Sequence, residues 1–148
     1  MRVPHFEQEL SYSCLPACIR MVAAYYSMEQ SEAALRTLLK TRPAGTSPVQ
    51  AMLHLPEIGM SAQVHMGSLS LLQAQIAAGQ PCIVHLWTES LPYWQASVIH
   101  AVVVVAITDS EVRIHDPAFA DAPKIVPLSL FLQAWSATDY LLVVVAPL

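Results

Sequence analysis

Residues 6–26 read FEQELSYSCLPACIRMVAAYY, and the reading of this stretch decides the rest. A polar and aromatic turn leads into an apolar helical run, with Cys14 at the point of entry and Gln8 upstream of it. Ser13 is placed to cap a helix from Cys14 to about Tyr26. Pro16 then falls in the first turn, where its missing N–H does little harm. Ala17, Met21, Val22 and Tyr25 form a stripe at helical spacing. A core cysteine would serve anywhere along that stripe. At the helix start it meets unpaired N–H groups and the positive end of the dipole, and both stabilise an anion. Thiol pKa values at such positions fall to roughly 3.5–7.5, so Cys14 is placed as a nucleophile. Position alone also fits a small buried side chain.

Outward from the first helix, the first half reads as helical. A second helix follows Ser31, with Ala34, Leu35, Leu38 and Leu39 on one face. A third opens at SPVQAML, where Ser47 and Gln50 suggest a capping box and Pro48 takes the first helical position. SLLQAQIAAG is a fourth, ended by Gly79. The second half reads as strand: PCIVHLW, VIHAVVVVAI, EVRIHD and YLLVVVAP are β-branched and bounded by turn residues. A short KIVP strand and a helix from about Ser129 to Trp135 lie between the last two. This order predicts an α+β chain, one domain over 1–148, with a helical lobe at about 1–80 and an antiparallel sheet lobe at about 81–148.

The bulk properties narrow the class. Hydrophobic residues make up 55% and charged residues 12% of the chain, which excludes disorder. A net charge of −4 offers no basic footprint, so nucleic acid is not expected as a partner. The longest apolar run, ASVIHAVVVVAI, is too short for the ~20 residues that span a bilayer and reads as a buried strand. No transmembrane segment and no signal peptide are expected. Three cysteines without framework spacing fit a reducing, cytoplasmic location.

A cysteine nucleophile needs a base, usually histidine. Of the six histidines (His5, His54, His65, His85, His100 and His115), His100 stands out because it opens the strongest strand. The turn TDS and the strand EVRIHDPA follow, so the two strands should pair as a hairpin. A turn centred on Asp109 sets Asp116 opposite Val102, on the sheet face of His100. The two are then diagonal neighbours, roughly 7–8 Å apart at the backbone, and Asp116 can orient the imidazole. A one-residue slip would put them on opposite faces. Gln8 completes the set as a side-chain amide able to donate to an oxyanion. Cys18, one turn beyond Cys14, and Cys82, in the CIVHL strand, read as core. The aromatic loop LWTESLPYWQA, with Trp87, Tyr93 and Trp94, precedes His100 and suggests a substrate contact or a cover for the sheet edge. There is no P-loop, dinucleotide fingerprint, His-Glu-x-x-His helix or Gly-x-Ser-x-Gly elbow. Neither a metal nor an organic cofactor is expected.

The pattern Q-x5-C-x-x-A-C-x-x-M-V-x-x-Y-Y closely resembles the opening of the papain-like cysteine peptidases that process bacteriocin precursors, the double-glycine leader peptidases. These are often the amino-terminal domain of an ABC exporter. HAVVVVAI with VRIHDPA is similar to that family's histidine strand and Asp-Pro turn, and SLFLQAW with YLLVVV to its closing helix and strand. The resemblance implies a two-lobed papain-like fold. It implies Cys14 as nucleophile, His100 as general base and acid, Asp116 as orienting residue and Gln8 as oxyanion donor. It further implies a peptide or protein substrate, cut after small residues, and an exporter acting in cis or in trans, which would bring the chain to the inner face of a membrane. Where the family has glycine after its nucleophile this chain has Leu15, whose bulk is expected to narrow or reshape the substrate groove. The alternatives are a peptide-binding module that does not cut, and an acyltransferase that passes the acyl group to an amine.

Overall fold

The computed structural model describes residues 1–148. α1 (Cys14–Tyr25), α2 (Glu32–Leu38) and α3 (Pro48–His54) come first, and a 3-10 turn (Leu55–Ile58) extends α3. β1 (Met60–Met66), α4 (Leu69–Ala77), β2 (Cys82–Trp87), β3 (Ile99–Ile107) and β4 (Glu111–His115) follow. The chain ends with β5 (Lys124–Pro127), α5 (Leu128–Ser136) and β6 (Leu141–Pro147). The class is α+β, with helices on both faces of one antiparallel sheet of order β1-β6-β2-β3-β4-β5. No helix is long and apolar enough to cross a membrane.

One strand lies where the sequence reading placed none. In β1, Met60, Ala62, Val64 and Met66 alternate with Ser61, Gln63 and His65, and the segment pairs with β6 along its whole length. That alternation is the period of a strand with two unlike faces. Gly59, at φ +81°, ends the preceding turn and delivers the chain into it. The first eighty residues are therefore not all helical.

Alternation along the strands divides the core into two layers. Ile83, Ala101, Val103, Val105, Val143 and Val145 pack beneath Leu15, Cys18, Ile19 and Val22 of α1, with Leu35, Ala51 and Leu55 beyond. From the other sheet face, Val84, Leu86, Val102, Val104 and Leu142 meet Leu72 of α4 and Phe131, Ala134 and Trp135 of α5. So α4, which precedes the expected lobe boundary, packs on the face opposite α1. Burial of both faces is why β3 reads as an unbroken apolar run rather than an alternating one.

Two helix starts follow their serine caps. Ser31 accepts the Ala34 N–H at 3.0 Å, and Ser68 accepts the Leu71 N–H at 3.1 Å. The capping box expected at α3 does not form: Ser47 Oγ accepts only from Val49 N at 3.4 Å, and Gln50 Oε1 has no partner. Pro48 does occupy the first helical turn. Ser13 sits at the N-cap of α1 without capping it.

The hairpin between β3 and β4 decides the geometry of the site. Thr108 and Glu111 close the turn through Thr108 N–H to Glu111 O at 2.9 Å, so the loop is Asp109-Ser110 and not centred on Asp109. This pairs Ile107 with Val112 and Ala106 with Arg113. Continued evenly, that register would bring Asp116 opposite Val103, on the face away from His100. It is interrupted at Val105, a bulge, after which Val104 faces Ile114 and Val103 faces His115. The extra residue carries Asp116 to the level of Val102, as expected, for a reason the sequence reading did not contain.

Trp135 measures how far the lower layer supports the sheet. It is fully buried, and its indole N–H donates to Leu141 O at 3.0 Å. Trp135→Ala is expected to cost about 3–5 kcal/mol. Thermal unfolding followed by circular dichroism should show a melting temperature lower by about 2–4 °C for each kcal/mol lost.

Candidate active site

Cys14 is the first residue of α1, and neither its own N–H nor that of Leu15 makes a backbone hydrogen bond. Pro16, next in line, has no N–H to offer. Ser13 would be the natural acceptor for these donors, but its hydroxyl is turned elsewhere. Its Oγ accepts from Leu10 N at 3.0 Å and lies 3.0 Å from Leu10 O and 3.1 Å from Glu32 Oε1. The helix start is thus left uncapped beside a sulfur atom. An anion there takes the place of a cap.

His100 opens the buried part of β3, its neighbour Ile99 being exposed. Its Nε2 lies 2.7 Å from Asp116 Oδ1, which leaves Nδ1 to face the thiol. Asp116 is wholly buried, and both its oxygens are filled. Oδ1 also accepts the Ala118 N–H at 2.9 Å. Oδ2 accepts the Tyr93 hydroxyl at 2.7 Å and the Trp94 indole N–H at 2.8 Å. The edge of the Trp94 ring packs on the His100 imidazole, centroids 4.9 Å apart. Phe119 closes the cluster against both Tyr93 and Trp94.

The electrostatics follow from these contacts. Burial acts to raise the Cys14 pKa, but hydrogen bonding and charge from His100, with the backbone at Ala101 and Leu15, outweigh it and lower the thiol below its ordinary value. Burial acts to lower the His100 pKa, and Asp116 and Cys14 reverse this, so the imidazole holds its proton above the usual histidine range. Burial likewise opposes ionisation of Asp116, yet bonds from His100, Trp94 and Ala118 keep the carboxyl below its usual value. Each contact thus favours the ionised form of its neighbour: thiolate at Cys14, imidazolium at His100 and carboxylate at Asp116. The other thiols differ: burial raises Cys18 well above the ordinary value and pushes Cys82 up to about 12. All three cysteines are free.

A cleft of about 490 Å³ opens at this point. Cys14 and His100 sit in it with Gln8, Tyr12 and Trp94, and it is walled by Pro43, Ala44 and Gly45 on one side and Val98 and Ile99 on the other. Other hollows are nearly as large, such as the one of about 440 Å³ lined by Phe6, Arg20 and Ala24, but hold no nucleophile and base. Gln8 is fastened at its backbone by Gln8 N–H to Pro117 O at 2.7 Å. Its side-chain Nε2 donates one hydrogen to Leu10 O at 2.8 Å, and the second hydrogen is free to face the cleft.

The remaining sequence expectations divide. Leu15 does not line the cleft: it is 1% exposed and belongs to the core beneath α1, because the residue after the helix start turns inward. The expected narrowing by its side chain is therefore corrected. Trp87 bonds Glu89 at 3.0 Å and lies outside the cleft. Tyr93 stands behind the site, holding Asp116, and only Trp94 of the three aromatics reaches the cleft wall. The donor roles of Tyr93 and Trp94 went unread in the sequence, although a buried phenol and indole always need an acceptor. Among the other histidines, burial and then the nearby His100 push His85 down to about 4, so it stays neutral. His115 and His5 bond the backbone oxygens of Val3 and Phe119 at 2.8 and 2.7 Å and tie the amino-terminal strap to the Asp116 turn. No three ligating side chains are grouped to hold a metal ion.

This geometry sets how the thiol reacts with pH. Iodoacetamide should label Cys14 at pH 7 in the native protein and leave Cys18 and Cys82 untouched, as read by peptide mapping. The rate should fall only when the pH drops through the lowered thiol pKa. His100→Ala removes the largest opposing influence on burial, so the midpoint should move up to or past the ordinary ~8.5.

The sequence matches the family model of the Peptidase C39 family over residues 2–147. The peptidase domain of Streptococcus ComA, a bi-functional ABC transporter involved in a quorum-sensing pathway, has a TM-score of 0.81 at 22% identity, covering 99% of this chain and 100% of that one. A C39-like peptidase from Bacillus anthracis has a TM-score of 0.77 at 18% identity, covering 99% and 96%. A double glycine motif protease from an AMS/PCAT transporter, in complex with the leader peptide, has a TM-score of 0.73 at 18% identity, covering 99% and 93%. At these identities the likeness is one of fold, and the shared class is α+β. No curated protein matches the chain. The family match spans all the elements that carry the cleft, so the chain belongs to the Peptidase C39 family and is a cysteine peptidase.

Proposed function

We propose that the protein cleaves a leader from a precursor peptide after small residues, with Cys14 as nucleophile, His100 as acid and base, Asp116 as its orienting partner and Gln8 as oxyanion donor. The observation that carries this reading is the buried run from the α1 start through Nδ1 and Nε2 of His100 to a carboxylate with four donors. The Cys14 thiolate attacks the carbonyl carbon of the scissile bond. The oxyanion accepts from the free hydrogen of Gln8 Nε2 and from the Cys14 N–H. His100 gives its Nδ1 proton to the leaving nitrogen as the C–N bond breaks, which leaves a thioester. Water then attacks the thioester, His100 takes a proton from it, and the C–S bond breaks to return the thiolate.

The cleft walls suit this substrate. Pro43 to Gly45 form a tight turn, with Arg42 and Gly45 exchanging hydrogen bonds at 3.1 and 2.8 Å, and oppose Val98 and Ile99. A peptide threaded between them has room for glycine or alanine at the reacting bond. α3 follows directly on that turn and leaves Val49, Met52 and Leu53 exposed along one helical face. We assign this face to the helical part of the leader, as in helix-in-groove recognition. An exporter in cis or in trans would present such a precursor on the cytoplasmic side.

The test is a set of leader peptides ending in Gly-Gly, Gly-Ala, Ala-Ala or Leu-Leu, followed by mass spectrometry. Cleavage of the first three and not the fourth is expected, whereas equal cleavage of all four, binding without cleavage, or ligation to an amine would each replace this reading. Cys14→Ala should abolish turnover while still binding the leader, and His100→Ala should come close to it, since the two act as a unit. Gln8→Ala should lower kcat by about 10²–10³. Asp116→Asn should be milder. The rate should be bell-shaped in pH, limited below by protonation of the thiolate and above by loss of the imidazolium proton. Leu53→Glu should raise KM about tenfold for full leaders, the worth of one apolar side chain at about 1.5 kcal/mol, and leave short peptides unaffected.

A further inference from the structure

Glu32 is a carboxylate 1% exposed in a protein that has little other charge inside. It lies at the first position of α2, where nothing in the helix itself requires burial. Its Oε1 accepts the backbone N–H of Glu9 at 2.9 Å and faces Ser13 Oγ at 3.1 Å. Its Oε2 lies 3.2 Å from Arg36 Nη1, and the same guanidinium reaches Glu9 at 3.3 Å. Every one of these contacts goes to the segment between Gln8 and Cys14 or to the arginine that holds Glu32 in place. A buried charge is costly unless it is paired and bonded, so the loop is where the charge acts.

We propose that Glu32 is a positioning residue for the thiol: it holds Ser13 away from the end of α1, so that the Leu15 N–H stays directed at the Cys14 sulfur. The chemistry is one of competition. A serine at this position normally accepts from the second or third N–H of its helix. Here the third belongs to Pro16 and does not exist, so Leu15 N–H is the one donor Ser13 could take. Leu15 N–H is also a donor the thiolate uses. With Ser13 Oγ occupied by Leu10 and Glu32, the competition is decided for the sulfur. Glu9, held by the same carboxylate oxygen, fixes the backbone directly after Gln8. The inference rests on Cys14 being the reactive thiol and extends that reading to what keeps it so.

The test is the pH profile of Cys14 alkylation by iodoacetamide, with folding checked by circular dichroism. Glu32→Ala leaves only Leu10 to hold Ser13 Oγ away from Leu15, and the profile should move to higher pH by about one unit, a tenfold lower rate at pH values below both midpoints. Glu32→Gln keeps an acceptor oxygen and should stay within about twofold of the parent rate. The deciding variant is Glu32→Ala with Ser13→Ala, where no side chain remains to compete and the parent profile should return. A merely structural role for Glu32 would not be rescued by deleting a second side chain, so a double variant as slow as Glu32→Ala overturns the proposal. An unshifted Glu32→Ala profile also overturns it. If the alanine variant does not fold, Glu32→Asp, which draws the carboxylate back by one methylene beside Arg36, must shift the profile in the same direction, and an unshifted profile overturns the proposal. Alkylation needs no peptide: a shifted profile in a protein that cleaves no leader would refute the functional reading and leave the role of Glu32 standing.

Discussion

A single buried carboxylate organises the working end of this protein. Asp116 has no contact with water, and an ionised group in that position survives only if its oxygens are filled. They are filled from three directions: His100 on β3, Tyr93 and Trp94 on the loop before it, and Ala118 in its own turn. Satisfying one charge thereby fixes the imidazole ring, the aromatic loop and the β4–β5 connection relative to each other. The amino-terminal strap is fastened to the same turn by Gln8 to Pro117 and His5 to Phe119, so the amide of Gln8 inherits its position from the Asp116 neighbourhood.

The opposite wall is held by a different force. α1 lies over the sheet through Leu15, Cys18, Ile19 and Val22, a contact that is apolar and has no directional preference of its own. What it does is hold a helix start rigidly against the first residues of β3. The cysteine then faces two kinds of positive influence, the helix end and the imidazolium, neither of which needs a mobile side chain. Cys14 and His100 both sit at the ends of these packed elements, on the cleft.

The ionised forms that the contacts favour alternate along the site: thiolate, imidazolium, carboxylate. Each member shifts its neighbour toward ionisation, and burial opposes each one. The arrangement is therefore collective. Removing the central imidazolium leaves two buried anions with no cation between them, a larger loss than the removal of either end. Collective ionisation also suits the acid role proposed for His100, whose proton is held above the usual histidine range.

Much of the fold was legible in the sequence, because local rules act on neighbouring residues. β-branched runs announced the five later strands, Ser31 announced α2, Gly79 announced the end of α4, and Cys14 stood at a helix start. β1 was legible too, in the alternation of MSAQVHM, but was passed over inside a helical half. Other features had no local signal. Val105 gives no hint that it is a bulge; β3 and β4 together adopt it because it lets His100 and Asp116 share a face while the two-residue turn keeps its own geometry. Leu15 looked like bulk beside the sulfur until the helix rotation sent it into the core. Tyr93 and Trp94 offered either a substrate contact or a cover for the sheet edge; a carboxylate far along the chain takes the polar atoms of both, and Trp94 alone also reaches the cleft. Glu32 carries no local sign that it is buried. The sequence by itself determined which residues could do the chemistry and which elements carry them, since side-chain type and periodicity are properties of the chain. Only the tertiary structure decided register, direction and partner, since a buried charge or donor selects whichever complement the packed fold brings within about 3 Å, however distant in sequence.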